Sequence, residues 1–259
     1  MNAARARKLG LLIVPLTFAA MLMAANLATP PVDDRDRGGA LRVRAPRVPA
    51  DIRGPFLRVG LTGAAVWAVA GGLFLAVMPS YAGQLVVHSR NLALLALLTS
   101  VVLLASFAAQ VLLRHGAPPV VTQAVGLVLL AVGLAALVAA SPAHSGALLA
   151  VGAALAGLGH GAAYLAAQDA LTHIAPPEQR AEVSAAFYVC VYLGVSLPVI
   201  GIGILADVTT LFTAVATFAT VTGVGSLALA VWHLRRGTGT GTSSEQATAR
   251  PRSDVAVGR

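Results

Sequence analysis

Charged residues are scarce in this 259-residue sequence, and the basic ones are of almost one kind. Asp, Glu, Lys and Arg make up only 11% of the chain, and Lys8 is the single lysine among 18 basic residues. Apolar residues make up 57% of the chain, and the mean hydropathy is +0.80. These values lie outside the range of soluble domains. The composition therefore predicts a protein that resides in a lipid bilayer.

Other scarcities exclude whole classes of site. Cys190 is the only cysteine, and it lies inside an apolar run, so this chain alone builds neither a disulfide nor a cysteine metal site. Aromatic residues make up 5% and are not interleaved with the arginines, so the net charge of +8 does not predict a nucleic-acid partner. No glycine-rich phosphate motif follows a strand, and no cofactor or metal is expected. Asp169, Glu182 and Asp207 all fall at the ends of apolar runs. We therefore expect no enzyme and no carboxylate near mid-membrane.

Seven apolar runs are long enough to cross the hydrocarbon core as helices, which takes about 20 residues each. None alternates with period two, which argues against a transmembrane barrel. The fold class predicted is an all-α integral membrane protein of about seven transmembrane helices, the last six forming one bundle. The expected limits are 9–29, 56–79, 91–114, 119–140, 146–169, 182–206 and 210–234. Pro79 is expected to close the second run.

The chain divides at two polar segments into a first transmembrane helix at 1–29, an Arg-rich linker at 30–55, a six-helix bundle at 56–234 and a tail at 235–259. Counted on alternate sides of the seven runs, fourteen basic residues lie with the linker and tail and four on the opposite side. By the positive-inside rule the linker and tail are cytoplasmic, and the tail is expected to be disordered. Arg5, Arg7 and Lys8 before the first run are also typical of a signal sequence, although no small-x-small cleavage site follows.

Polar residues at helical spacing mark the candidate transport path. His160, Tyr164 and Gln168 recur every four residues and share one face of a helix, with His160 near mid-depth. Buried polar groups in a membrane need partners or water, so these residues are predicted to line a solvated cavity. Interhelical hydrogen bonding without a substrate role is the alternative. Gln110 lies on a second stripe with Ser106, where it either binds substrate or joins helices.

Small residues and one proline indicate where helices pack or bend. Gly157 and Gly161 form a small-xxx-small face that lets a neighbouring backbone approach. Pro198 falls mid-run between Gly194 and Gly201, and it predicts a kink or flexible break in that helix. Trp67, the only tryptophan at depth, is interpreted as core packing.

The pattern resembles the C-terminal half of a major facilitator superfamily transporter, together with the helix that precedes it. A basic linker, RVRAPRVPADIRGPF at 42–56, precedes the second run as that family's central loop precedes its seventh helix. The stretch GLGHGAAYLAAQDALTHIAPPEQRAEVSAAFYVCVYLGVSLPVIGIGILAD at 157–207 is similar to its tenth helix, short cytoplasmic loop and eleventh helix. The loop LLRHGAPPVV at 112–121 keeps Arg114 and Gly116 of the family's loop motif but lacks the acidic residue.

The resemblance implies a secondary transporter that moves a small, amphiphilic molecule by alternating access, with efflux as one direction. It also implies that 1–29 corresponds to the family's sixth helix and that a missing N-terminal half or a second copy supplies the opposite wall. The alternative is a membrane protein that does not transport, either a degenerate remnant or a helix-packing scaffold. The scarcity of lysine beside abundant Ala, Gly, Val and Arg suggests a bacterial source, and hence the inner (cell) membrane.

Overall fold

The structure is a computed structural model that describes residues 46–89, 91–114 and 118–237, with side chains through Arg235. Within these ranges all regular structure is helical, and six helices are long and apolar enough to cross a membrane. The predicted first helix, most of the linker and the tail from residue 238 lie outside the described residues. The six-helix arrangement agrees with the all-α membrane fold that the sequence predicts.

The helices follow one another with short connections, so consecutive helices run antiparallel. The first, α1, is a composite that spans Ala50–Val86. Its parts are a 3₁₀ turn at Ala50–Ile52, α-helix at Arg53–Trp67, π-helix at Ala68–Val77, α-helix at Met78–Tyr81 and π-helix at Ala82–Val86. The others are α2 (Leu92–Leu113), α3 (Pro119–Ala140), α4 (Gly146–Ile174), α5 (Arg180–Val208) and α6 (Leu211–Gly237). A 3₁₀ turn, Pro177–Gln179, leads into α5.

The largest difference from the predicted limits is at the end of α1, and α4 also runs past its predicted end at 169 to Ile174. Helix α1 does not close at Pro79 but continues to Val86. Pro79 stands at the first turn of the segment Met78–Tyr81, directly after the π-helical stretch, where the wider turn changes the hydrogen-bond register. A proline is tolerated there because its missing N–H falls at the start of a new register. Helical structure also begins at Ala50, inside the stretch predicted as linker.

Local hydrogen bonds start three of the helices. The Asn91 side chain accepts from Ala93 N at 3.0 Å and from Leu94 N at 3.3 Å at the beginning of α2. Ser145 caps α4, and Thr210 accepts from Thr213 N at 3.1 Å before α6. Such side chains satisfy N–H groups that have no partner within the helix. Pro118 precedes α3, whose first residue is a second proline.

Packing is closest between α3 and α4. Helix α2 also packs against α4, and α6 packs against α3. Helix α1 packs on α4 and α5. The larger cluster of buried side chains joins α1, α3, α4 and α6, and includes Phe74, Leu127 and Leu134. A smaller one, around Phe187, joins α5 to the start of α1 and the end of α4.

Burial is distributed unevenly among the helices. In the most apolar window of each helix, 67% of residues are buried for α1 but only 33% for α2 and 11% for α5. The exposed side chains of α5 are large, with Tyr192 at 69% and Leu197 at 64% of their full exposure. In a membrane such surfaces face lipid or another helix. Helix α5 therefore has its main contact area outside the bundle described here.

Candidate functional site

An aromatic cluster lies where α1 faces α4, at the depth of the middle of α4. The Trp67 ring meets the edges of two α4 rings, His160 at 5.3 Å and Tyr164 at 5.8 Å between ring centres, each at 83°. The His160 and Tyr164 rings stack at 5.8 Å and 11°. Phe187 of α5 adds a fourth ring, 6.4 Å from Tyr164. We call Trp67, His160, Tyr164 and Gln168 the α1–α4 cluster.

His160 is tied to α2 by a short hydrogen bond. Its Nδ1 lies 2.8 Å from Ser106 Oγ, and Gln110 Nε2 donates to the same oxygen at 3.1 Å. Gln110 and Ser106 lie one turn apart on α2, as the predicted stripe requires. The two stripes that the sequence treated separately therefore form one network through Ser106.

Three polar atoms of the α1–α4 cluster are buried without a hydrogen-bond partner among the described residues. They are Trp67 Nε1, His160 Nε2 and Gln168 Oε1; Ser226 Oγ on α6 is a fourth such atom elsewhere. An unsatisfied buried donor or acceptor costs about 1–3 kcal/mol, so groups of this kind are uncommon in folded proteins. The three atoms of the cluster lie beside aromatic faces. Together they form a surface that can bind a polar group of a ligand or an ordered water molecule.

His160 is enclosed in this conformation, whereas Trp67, Tyr164 and Gln168 are half-buried. His160 has only 3% of its surface exposed. None of His160, Tyr164, Gln168 and Gln110 lines any of the larger grooves of the described chain. The structure thus places all four candidates in or beside one network, and their contact with a solvated cavity stays a prediction.

Sequence reasoning gave too little weight to Trp67, which belongs to the cluster, and to Ser106, which binds His160. Trp67 was interpreted as core packing, yet its ring contacts two of the candidate residues and its N–H is unpartnered. The available signal was a lone tryptophan at mid-depth, since a buried indole N–H usually needs a partner.

A second buried polar network lies toward the end of the bundle where α1 begins and α6 ends, and it was not predicted. Thr62 Oγ1 donates to the Arg58 carbonyl at 2.9 Å, accepts from Gln123 Nε2 at 3.0 Å and lies 3.2 Å from His233 Nε2. These bonds use the full capacity of one hydroxyl if the histidine nitrogen donates. The network joins α1, α3 and α6, and each of its three side chains is at most 6% exposed. We interpret it as structural.

The two glycines singled out on α4 lie directly against α2. A Cβ at Gly157 would run into the Val102 carbonyl, and one at Gly161 into the backbone of Ser106. Four further glycines, missed in the sequence, form a seam between α3 and α4. Gly126 faces Gly159, and Gly133 faces Gly152, and the two glycines on each helix are seven positions apart.

The proposed hinge residues lie where α5 meets α1. A Cβ at Gly194 would overlap the backbone of Ala64, and Pro198 packs beside Gly72. A Cβ at Gly201 would meet no atom within 4 Å, so this residue faces outward. Helix α5 runs unbroken through Pro198, so there is no break in the helix, and the hinge role stays a prediction.

An apolar groove of about 570 Å³ lies alongside, between α1, α5 and α6, with Gly194 and Pro198 in its wall. A smaller polar pocket of about 160 Å³ brings Arg114 of α2 and Asp169 of α4 to one site. Among the described residues, no three His, Cys, Asp or Glu side chains come together.

Comparison with known proteins agrees with this architecture. The model of the Major Facilitator Superfamily matches residues 7–198 and, in a second alignment, residues 114–255. Residues 114–198 are thus matched twice, as happens where a family is built from internal repeats. No curated protein and no solved structure matches the chain. Six membrane-crossing helices and a family match over most of its length make this chain a multi-pass membrane protein that belongs to the Major Facilitator Superfamily of transporters.

Proposed function

We propose that this protein is a secondary transporter whose substrate passes along the α1–α4 cluster. The observation that carries the proposal is the group of unpartnered buried atoms on Trp67, His160 and Gln168. Polar atoms without partners at membrane depth are retained where they meet a ligand or water during the working cycle. The conformation described would then be one in which this path is closed.

The chemistry of the cluster indicates the class of substrate. Its surface is mainly aromatic, supplied by Trp67, His160 and Tyr164 with Phe187 beside them, and it carries isolated donors and acceptors. Small-molecule sites of this composition take ligands with an apolar body and a few polar groups. No carboxylate belongs to the cluster, so the described residues offer no fixed negative charge to a cation. We therefore infer a small amphiphilic substrate, and efflux is one direction in which it would move.

A second helix bundle is needed to complete the path. Alternating access moves one bundle against another around a site between them. Helices α2, α5 and α6 are the least buried, at 33%, 11% and 33% of their most apolar windows, and of these α2 and α5 carry large exposed aromatic side chains, Phe107 at 68% and Tyr192 at 69%. We infer that these two helices contact the opposite bundle, supplied by an N-terminal half or by a second copy of the chain.

The orientation proposed follows the distribution of arginine. The described end that carries the start of α1, the start of α5 and the end of α6 also carries Arg53, Arg58, Arg180 and Arg235. Basic residues concentrate on the cytoplasmic side of membrane proteins. We place this end, the linker and the tail in the cytoplasm of a bacterial cell, with the protein in its inner membrane.

Reconstitution of the purified full chain tests the function. The particle mass is measured in mild detergent, and flux of a panel of fluorescent amphiphiles is then followed in vesicles. We expect flux only from preparations that contain two bundles per particle, and its loss in Trp67→Ala but not in the exposed control His173→Ala, whose side chain is 78% exposed. Flux from a monomer would refute the need for a second bundle.

The second candidate is a scaffold that packs helices without transport. The enclosure of His160, which is only 3% exposed, favours it. In that case its hydrogen bond to Ser106 serves packing alone. Absence of flux from dimeric particles for every substrate tested, with intact folding, would support this candidate.

A further inference from the structure

Two histidines from different loops meet at the end of the bundle opposite the arginine-rich one. His88 follows α1, and His144 lies between α3 and α4. Both side chains belong to exposed residues, and their ring centres are 5.5 Å apart with an angle of 42° between the rings. Neither residue takes part in the α1–α4 cluster.

The backbone at both histidines has an unusual conformation. His88 has φ 47° and His144 has φ 45°, and no other residue of the described chain, glycine included, has a positive φ of this kind. Glycine or asparagine is the ordinary choice for a left-handed residue after a helix. The two left-handed residues are therefore both histidine, and they touch each other. A backbone outlier of this kind is a reason to look for function at the site.

The two loops are held in place by independent contacts. Val87 N donates to Ala82 O at 2.9 Å just before His88, and His144 N donates to Ser141 O at 3.0 Å. The loops also touch, because a Cβ at Gly146 would come within 2.9 Å of the Val87 side chain. The two loops therefore hold the backbone of both histidines close together, and the exposed rings can adjust by side-chain rotation.

The separation of the two rings fits two imidazoles on one metal ion. A metal–nitrogen bond of about 2.0–2.1 Å places each ring centre about 3.2 Å from the metal. Ring centres 5.5 Å apart then correspond to an N–metal–N angle of about 120°, near the tetrahedral value. The angle between the ring planes is free, because each ring can rotate about its metal–nitrogen bond.

We propose that His88 and His144 together bind a divalent transition-metal ion such as Zn²⁺, with water completing the coordination. Imidazole suits Zn²⁺, Cu²⁺ and Ni²⁺, whereas Mg²⁺ and Ca²⁺ prefer oxygen ligands. The bound ion would join the α1–α2 loop to the α3–α4 loop at the predicted outer surface. The site is independent of the proposed transport path and does not need transport to be detected.

Titration of the purified full chain, free of any histidine tag, with Co²⁺ as a spectroscopic substitute for Zn²⁺ tests the proposal. Asparagine replacements are the suitable variants, since asparagine tolerates a left-handed backbone but is a poor ligand for these metals. We expect one ion per chain with visible bands of tetrahedral Co²⁺, an affinity lower by about tenfold or more in His88→Asn or His144→Asn, and no bands in the double variant. The control His173→Asn changes an exposed histidine paired with Asp169 at the opposite end and should bind as the unaltered chain does.

Two outcomes would overturn the proposal. One is the absence of tetrahedral bands from the unaltered chain at millimolar Co²⁺, and the other is equal binding by the double variant, which would indicate an adventitious ion only. The thermal unfolding of each variant is measured without metal, and Zn²⁺ should raise the unfolding temperature of the unaltered chain but not that of the double variant. This second measurement separates loss of the site from loss of the fold.

Discussion

The seam between α3 and α4 predicts that a single methyl group will destabilise the bundle. At Gly126, an added Cβ would lie 2.6 Å from Ala163 N and 2.8 Å from Gly159 O. Ordinary contacts of a Cβ begin at 3.4 Å, so Gly126→Ala requires the two helices to move apart by about 0.8 Å. The atoms in the way belong to the α4 backbone, which cannot move aside as a flexible side chain does. The separation is therefore shared along the whole α3–α4 contact.

The magnitude follows from two opposing effects. Overpacking of a close contact costs about 1–3 kcal/mol, and a gap of 0.5–1 Å loses about a quarter to a half of the dispersion energy of the contacts it opens. Replacing glycine by alanine inside a helix returns about 0.5–1 kcal/mol. We expect Gly126→Ala to lower the free energy of unfolding by about 1–2 kcal/mol. Gly133→Ala lies seven positions along the same seam, so the double variant should lose less than the sum of the two single losses, because the first methyl group has already separated the helices.

The assay is reversible unfolding in mixed detergent and SDS micelles, with helical content as the signal. Gly225→Ala and Gly203→Ala are matched controls, because a Cβ at either position meets no atom within 4 Å. Both controls should leave stability unchanged or raise it by up to about 1 kcal/mol. Equal stability of Gly126→Ala and the unaltered chain, or equal losses in the controls, would refute the reasoning.

Three further predictions concern topology and the buried polar groups. A reporter that is active only outside the cytoplasm should stay silent when fused after Arg47 or Arg236. The reason is that fourteen of the 18 basic residues lie on the side of the linker and tail, which makes that side cytoplasmic. An active fusion would reverse the topology. Thr62→Val keeps the shape but leaves the amide and imidazole partners unsatisfied, so it should cost about 1–3 kcal/mol in unfolding experiments. Tyr81→Phe removes one bond of 3.1 Å to the Leu137 carbonyl and should cost only about 0.5–1.5 kcal/mol, so a larger loss than in Thr62→Val would contradict this ranking.

The limits of the six described helices were largely predictable because their signals are local. Hydrophobic length, Pro118–Pro119, and the capping residues Asn91 and Ser145 determine where helices start. The end of α1 was not predictable in this way. Proline normally closes a helix, and its tolerance at Pro79 depends on the π-helical register before it, which no local pattern announces.

The sequence predicted which candidate residues share a face of α4, but it did not predict which residues of other helices they contact. Spacing by four placed His160, Tyr164 and Gln168 together, since that relation lies within one helix. The contacts of His160 with Trp67 and Ser106 join three helices, and they depend on how α1 and α2 rotate against α4. Periodicity within a helix carries no information about that rotation.

The same limitation explains the missed packing features. The α3–α4 glycines are spaced by seven, and only the opposite helix shows that each meets another glycine. The Thr62 network combines residues from three helices whose sequence separations exceed 60. Neither arrangement has a signature within a single run of the sequence.

The central claim is that the α1–α4 cluster forms part of a transport path, and thiol accessibility at residue 160 tests it most directly. His160→Cys is made in a Cys190→Ala background and treated with a membrane-impermeant thiol reagent from each side of sealed vesicles. Val151→Cys, on the outward face of the same helix, and His173→Cys, at an exposed end, are the unreactive and reactive controls. The account predicts labelling of residue 160 from at least one side, slower than at residue 173 because the site is closed in one conformation, and protection by a transported substrate. A thiol at residue 160 that resists the reagent from both sides, as the lipid-facing control does, would contradict it.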